Sequence, residues 1–188
     1  MRCLRHGLGL LLCALLIAAP IRAAAEEARL VDLTVTNTRD DLLLYLQVEG
    51  AFPEEMKQAI LSGVPTTFSF FTALYEVRSL WFDREIVDLT STHTIHYDNL
   101  KKMFTVSRSW ESGGPQVTPS LEEACRLMAS IESLKVIQLQ RLEKGKQYQL
   151  RAKAELSKLT LPFYLHYILF FVSLWDFETD WYTVDFIY

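Results

Sequence analysis

The sequence predicts a mainly β fold: an antiparallel sandwich or partly open barrel of about eight strands, with two short inserted helices. Three observations point there. Several segments alternate apolar and polar residues with period two, the signature of a half-buried strand. The middle of the chain is dense in Thr, Phe, Tyr, Val and Trp, residues that fit a pleated surface. Only two stretches repeat their apolar residues at helical spacing.

A leader precedes these elements. Arg2 and Arg5 give a positive start, residues 7–19 form an apolar run of 13, Pro20 breaks it, and Ala23-Ala24-Ala25 supplies small residues for a signal peptidase. The run is short for a bilayer span, which takes about 20 residues. Residues 1–25 are therefore read as a cleaved signal peptide and 26–188 as a single β-rich extracytoplasmic domain.

Val31, Leu33 and Val35 alternate with Asp32, Thr34 and Thr36, and Leu42, Leu44, Leu46 and Val48 share a face. Asn37 to Asp41 is turn chemistry, so 30–48 reads as a hairpin. Residues 53–62 read as a helix, with Pro53 at its first position, Glu54 and Glu55 at its positive end, Met56, Ala59 and Ile60 inward, and Gly63 ending it. Residues 66–82 read as one long, bent strand. In 86–97, Val87, Leu89, Ile95 and Tyr97 oppose Asp88, Thr90, Thr92, Thr94 and His96. Asp98-Asn99 is a two-residue turn into 100–110, where Phe104, Val106 and Trp110 share a face.

After the loop at 111–117, Thr118 is the expected cap of a helix over 119–133, with Leu121, Ala124, Cys125, Met128 and Ile131 on its apolar stripe. Residues 135–142 and 147–157 read as another hairpin around Lys144-Gly145. Its second arm sets Tyr148, Leu150, Ala152, Ala154 and Leu156 against Gln147, Gln149, Arg151, Lys153 and Glu155. Residues 180–188 close the chain as a strand.

Composition narrows the function. Loss of Arg2, Arg5 and Arg22 with the leader lowers 19 basic residues to 16 against 23 acidic ones, taking the net charge from −4 to −7. Such a chain lacks the basic surface that nucleic-acid binding requires. Of three cysteines only Cys125 lies beyond the leader, which rules out a disulfide scaffold. Neither Asn37 nor Asn99 begins a glycosylation sequon, in keeping with a bacterial envelope.

The 17 residues 159–175 carry no formal charge. A membrane span there would put the acidic, Lys- and Arg-free tail 176–188 in the cytoplasm, against the positive-inside tendency. A buried core segment and a surface that docks on a membrane or protein remain the other two readings. Leu161 to Trp181 (LPFYLHYILFFVSLWDFETDW), with the leader, the first hairpin and SLWFDRE at 79–85, resembles the bacterial family known as domain of unknown function 4390. The resemblance implies an exported, β-rich proteobacterial domain with no established activity, of a kind often encoded near two-component sensor kinases. It supplies no catalytic residues.

Candidate chemistry is sparse. His93 and His96, three apart on a strand, point to opposite faces and cannot chelate one ion. His93 is expected inward and satisfied, His96 in solvent. Asp176, Glu178 and Asp180 alternate without the glycine turn or distal glutamate of a calcium loop. Cys125 is expected to be a buried small hydrophobe. No nucleophile elbow, zinc-protease, phosphate-loop or dinucleotide motif occurs. Phe68, Phe70, Phe71, Tyr75, Trp81 and Phe82 line either a ligand cavity or, more simply, the core.

The expectation is a non-enzymatic periplasmic domain, without cofactor, metal or nucleic acid, that interacts with another envelope component, a membrane protein. Its candidate surface is Phe163, Tyr164, Tyr167, Phe170, Phe171, Trp175 and Trp181. A carrier of a lipid or other apolar ligand is the alternative, and a hydrolase a distant third.

Overall fold

In the computed structural model, which describes residues 28–156 and 178–188, period-two segments become strands and the two helices sit between them. The order is β1 (Arg29–Asn37), β2 (Asp41–Glu49), α1 (Glu54–Leu61), β3 (Thr66–Glu76), β4 (Arg84–Asp98), β5 (Met103–Arg108), β6 (Gln116–Thr118), α2 (Leu121–Ala129), β7 (Ser130–Gln138), β8 (Gln147–Leu156) and β9 (Tyr182–Ile187). These nine strands form two antiparallel sheets, β1-β2-β7 and the half-barrel β6-β5-β4-β3-β8-β9. The sheets approach each other at β1 against β9 and at β4 against β7, and α2 packs against strands of both.

Alternation explains the core. β8 buries Tyr148, Leu150, Ala152, Ala154 and Leu156 and turns Arg151 and Lys153 outward. β3 buries Phe68, Phe70 and Leu74, β2 buries Leu42, Leu44, Leu46 and Val48, and α1 buries Met56, Ala59 and Ile60. All of these except Ala59 join one hydrophobic cluster with residues of both sheets and both helices. Burying one such side chain contributes about 1.5–3 kcal/mol.

α1 ends as the glycine predicts. Gly63 adopts φ +86°, its N–H donates to Ile60 O (2.9 Å), and the Val64 N–H donates to Ala59 O (3.1 Å), a Schellman closure. Pro53 stands one residue before the helix, where its carbonyl accepts from Met56 and Lys57.

Several expectations are corrected. The strand read over 66–82 stops at Glu76, because Leu74 pairs with Val87 but Tyr75 pairs with Glu85, a bulge that turns the chain away. Leu80, Trp81 and Phe82 therefore sit on an exposed loop rather than lining a cavity or core. The turn after β4 has four residues, 99–102, since Asp98 pairs with Met103. Lys102 takes a left-handed φ of +56°, and Asp98 Oδ1 accepts the Leu100 and Lys101 N–H groups. Those two bonds, first among the causes with Lys101's, hold the Asp98 carboxyl below its usual range.

The second helix is shorter than 119–133 and is capped by Ser120, not Thr118. Thr118 is spent pairing with Phe104 in β6, while Ser120 Oγ accepts the Glu123 N–H (3.3 Å). At Ser130 the backbone becomes extended, and Ser130–Gln138 joins β2 as β7. The supposed hairpin of 135–142 with 147–157 does not form. β7 lies in the three-stranded sheet, whereas β8 pairs with β3 and β9. Gly145, at φ +78°, does turn the chain, but between the two sheets. Ser120→Ala should cost about 1 kcal/mol in denaturant unfolding, and Thr118→Ala clearly less, if the cap is Ser120.

Candidate functional site

The outer face of the half-barrel carries the most developed surface arrangement. β3 contributes Phe71 and Tyr75 to it, and β8 contributes Gln149, Arg151 and Lys153, because both strands turn alternate residues away from the core. Register makes them neighbours: Phe71 pairs with Lys153, Ala73 with Arg151 and Tyr75 with Gln149. Lys153 Nζ lies 5.3 Å from the Phe71 ring centre, and the Arg151 guanidinium lies 4.5 Å from that of Tyr75. Such cation–π contacts contribute roughly 0.5–1 kcal/mol each where water reaches them.

The segment leading into β9 completes the face. Thr179, which is buried, donates its N–H to Ala154 O (2.9 Å) and accepts the Ala154 N–H on Oγ1 (3.0 Å). Glu178 forms a bridge to Glu155. This clasp delivers Trp181, 51% exposed, to the edge of β8, where Lys153 Nζ sits 5.4 Å from its ring centre. Lys153 also pairs with Glu178 at 2.6 Å, and that bond, foremost among the causes, raises the lysine's pKa. Burial, then the hydrogen bond from its hydroxyl to Glu85 (3.0 Å), raises the pKa of Tyr75. Arg151 is steered from both sides, by Gln149 Oε1 (2.7 Å) and Asp83 (3.7 Å). Tyr75, Gln149, Arg151, Trp181 and Thr183 line a shallow groove of about 470 Å³.

A second cleft, about 520 Å³, opens among Trp110, Glu111, Ser112 and residues 132–135 of β7, where Ser133 is held at φ +69°. Behind it lies His93, fully buried on β4. Its Nδ1 lies 3.0 Å from the Met128 carbonyl, and its Nε2 accepts the indole N–H of Trp110 at 2.9 Å. The carbonyl can only accept and the indole can only donate, so the neutral ring carries its proton on Nδ1. Burial, the dominant cause, lowers the pKa of His93 to about 4. Both nitrogens are committed, so His93 offers no free base to the cleft. His96, the other histidine among the described residues, is exposed on the opposite face. Arg108, itself buried, grips Glu111 through two 2.8 Å bonds and lies over Trp110.

Other sequence candidates fall as follows. Cys125 is partly buried, not wholly so, and burial pushes its thiol up to about 11, far from a reactive thiolate. Glu178 is spent on Lys153, and among the described residues no three His, Cys, Asp or Glu side chains are placed to share a metal ion. Phe68 and Phe70 are core, while Phe71 and Tyr75 face outward. Of the seven candidate surface residues, Trp181 is on the outer face. Phe163, Tyr164, Tyr167, Phe170, Phe171 and Trp175 lie outside the described residues. Arg151 and Lys153 were not singled out from sequence as site residues, and Tyr75 only as part of a cavity or core lining. Their outward phase was readable, but their convergence depends on the register between strands about 80 residues apart.

A family model, the domain of unknown function DUF4390, matches residues 25–185. The chain belongs to that family. The matched range takes in every strand of this DUF4390 domain except the last residues of β9, and with them the outer-face groove. No curated protein and no solved structure matches the chain.

Proposed function

We propose that this is an exported, non-enzymatic envelope domain that docks on another envelope component, a membrane protein, through the outer face of its half-barrel. The observation that carries the reading is the solvent-facing run of Phe71, Lys153 and Trp181 beside Tyr75 and Arg151. Tyr, Trp and Arg are the residues that dominate the binding energy of interfaces, because each offers a large rigid surface and a polar handle. Here they line a groove with no core to serve.

Strand pairing argues against a membrane crossing between β8 and β9. β9 pairs along its whole length with β8, from Gln147 with Ile187 to Ala152 with Tyr182. A single crossing by residues 159–175 would put a bilayer between two paired strands, so β8 and the tail belong on one side of any membrane. No helix among the described residues is long and apolar enough to cross one.

The carrier alternative draws less support. In the described residues the inner face of the half-barrel is filled by Phe68, Phe70, Leu74, Ile95, Tyr148 and Leu150.

Trp181→Ala and Arg151→Glu should leave the thermal transition within a few degrees of wild type. Each should weaken recovery of a membrane-protein partner from solubilised envelopes by at least about tenfold, the scale of a truncated hot spot. Undiminished recovery with both variants would sink the outer face as the docking surface.

A further inference from the structure

The loop joining β3 to β4 ends in three consecutive large apolar residues, Leu80 (94% exposed), Trp81 (77%) and Phe82 (90%). Single exposed apolar side chains are ordinary on a protein surface, but a contiguous exposed triplet marks contact with something apolar. We propose that this tip inserts into the interfacial layer of a phospholipid bilayer and seats the domain on the membrane.

The shape and charge of the stem favour lipid over a protein pocket. Exposures this high mean that each side chain projects away from the fold, a convex wedge suited to a fluid medium. Arg78 and Arg84 bracket the tip, two positions before Leu80 and two after Phe82. The acid between them, Asp83, is turned back onto the Arg78 N–H (3.3 Å) and the Arg151 guanidinium (3.7 Å). The outward order is therefore guanidinium, then Trp and Phe. That is the order in which a bilayer presents phosphate and then acyl chain, with Trp at home near the headgroups.

The stem is built to hold this order. Glu76, only 3% exposed, anchors both arms and the turn below them: Arg84 at 2.6 Å, Lys146 at 2.8 Å and Arg78 at 3.7 Å. The Lys146 hydrogen bond, the largest cause, holds the Glu76 carboxyl below its ordinary range. In this network four cations, Arg78, Arg84, Lys146 and Arg151, face three carboxylates, Glu76, Asp83 and Glu143, within a chain of net charge −4.

The tip stands where β3 ends and β8 begins, since Glu76 pairs with Tyr148 and Phe68 with Leu156. It is thus about 30 Å, one length of β8, from Leu156, where the uncharged 159–175 stretch departs. The inference does not rest on the outer-face reading, and its test is separate.

The experiment uses the processed full-length protein with large unilamellar vesicles of phosphatidylethanolamine and phosphatidylglycerol. The triple substitution Leu80→Ser, Trp81→Ser and Phe82→Ser touches only exposed side chains, so its melting temperature should match wild type. Its partition coefficient in vesicle flotation should fall at least about tenfold. Because other segments could bind vesicles, Trp81 itself is read separately. The emission quenched by brominated lipids in wild type should be largely lost in Trp81→Phe, which should still bind. Equal partition of wild type and the triple variant, or equal quenching in Trp81→Phe, overturns the proposal. So does a wild type that ignores vesicles while the triple variant loses a protein partner.

Discussion

Replacing Phe70 with alanine should remove about 4 kcal/mol of folding stability, whereas the same change one residue on, at Phe71, should remove about 1 kcal/mol. Phe70 is 1% exposed at the centre of β3, paired with Ser91 on one side and Ala154 on the other, with its ring 4.6 Å from that of His93. Truncation there loses the transfer energy of the ring and leaves a cavity that paired strands on both sides keep from collapsing. Phe71 faces outward, and its ring meets the Lys153 ammonium. For a domain whose total stability is of order 5–15 kcal/mol, the first loss shifts the melting temperature by roughly 8–16 °C. Urea unfolding of the two variants reads the difference directly. Equal losses would mean that the register and facing of β3 are wrong, and with them the outer-face groove.

Acidification from pH 6.5 to pH 4 should cost the fold up to about 3 kcal/mol through His93 alone. Above pH 6.5 the ring is neutral in both folded and unfolded chains, so its contribution to stability is fully present. Below that, the unfolded chain takes up a proton that the folded chain refuses until about pH 4. Stability therefore falls with pH, by at most about 1.4 kcal/mol per unit, and this loss levels off below pH 4. Protonation is refused because burial strips the cation of water and the Trp110 N–H already occupies Nε2. The Arg108 guanidinium adds repulsion, while the Glu111 carboxylate and the Met128 carbonyl work the other way. The carboxyls of Glu76, Asp98 and Glu123 are lowered from the ordinary carboxylate range, so the comparison is made from pH 5 to 6.5, above that range. Chemical denaturation across that pH interval should show the slope in wild type and lose it in His93→Gln. A flat wild-type profile, or an unchanged slope in the variant, contradicts the assignment.

Strands whose two faces see different environments were legible in the sequence. β2 and β8 keep strict alternation because one face meets the core and the other water. β7 was not legible. Its first four residues run two in, two out, with bulges against β2 and a left-handed Ser133, so no period survives there, and Ile131 carries the helical spacing of Ala124 and Met128 past the true end of α2. The 77–83 loop was misread for another reason. Leu-Trp-Phe has strand-like composition, and composition does not distinguish a buried aromatic from one aimed into solvent. The Lys144-Gly145 turn was seen correctly, but not that it passes the chain from one sheet to the other. The candidate site fared similarly. Trp181 was visible as an aromatic in an acidic tail, while the cations that flank it became its neighbours only through the pairing of β8 with β9 and with β3.

A photoreactive residue at Thr183 asks the central question most directly. Thr183 is exposed, lines the outer-face groove and pairs with Arg151. Irradiated in living cells, the Thr183 position should give one discrete cross-linked product containing a membrane protein, and the same residue at exposed Thr36 on β1 should not. No adduct at Thr183, or the same adducts from both positions, would contradict docking through the outer face of the half-barrel.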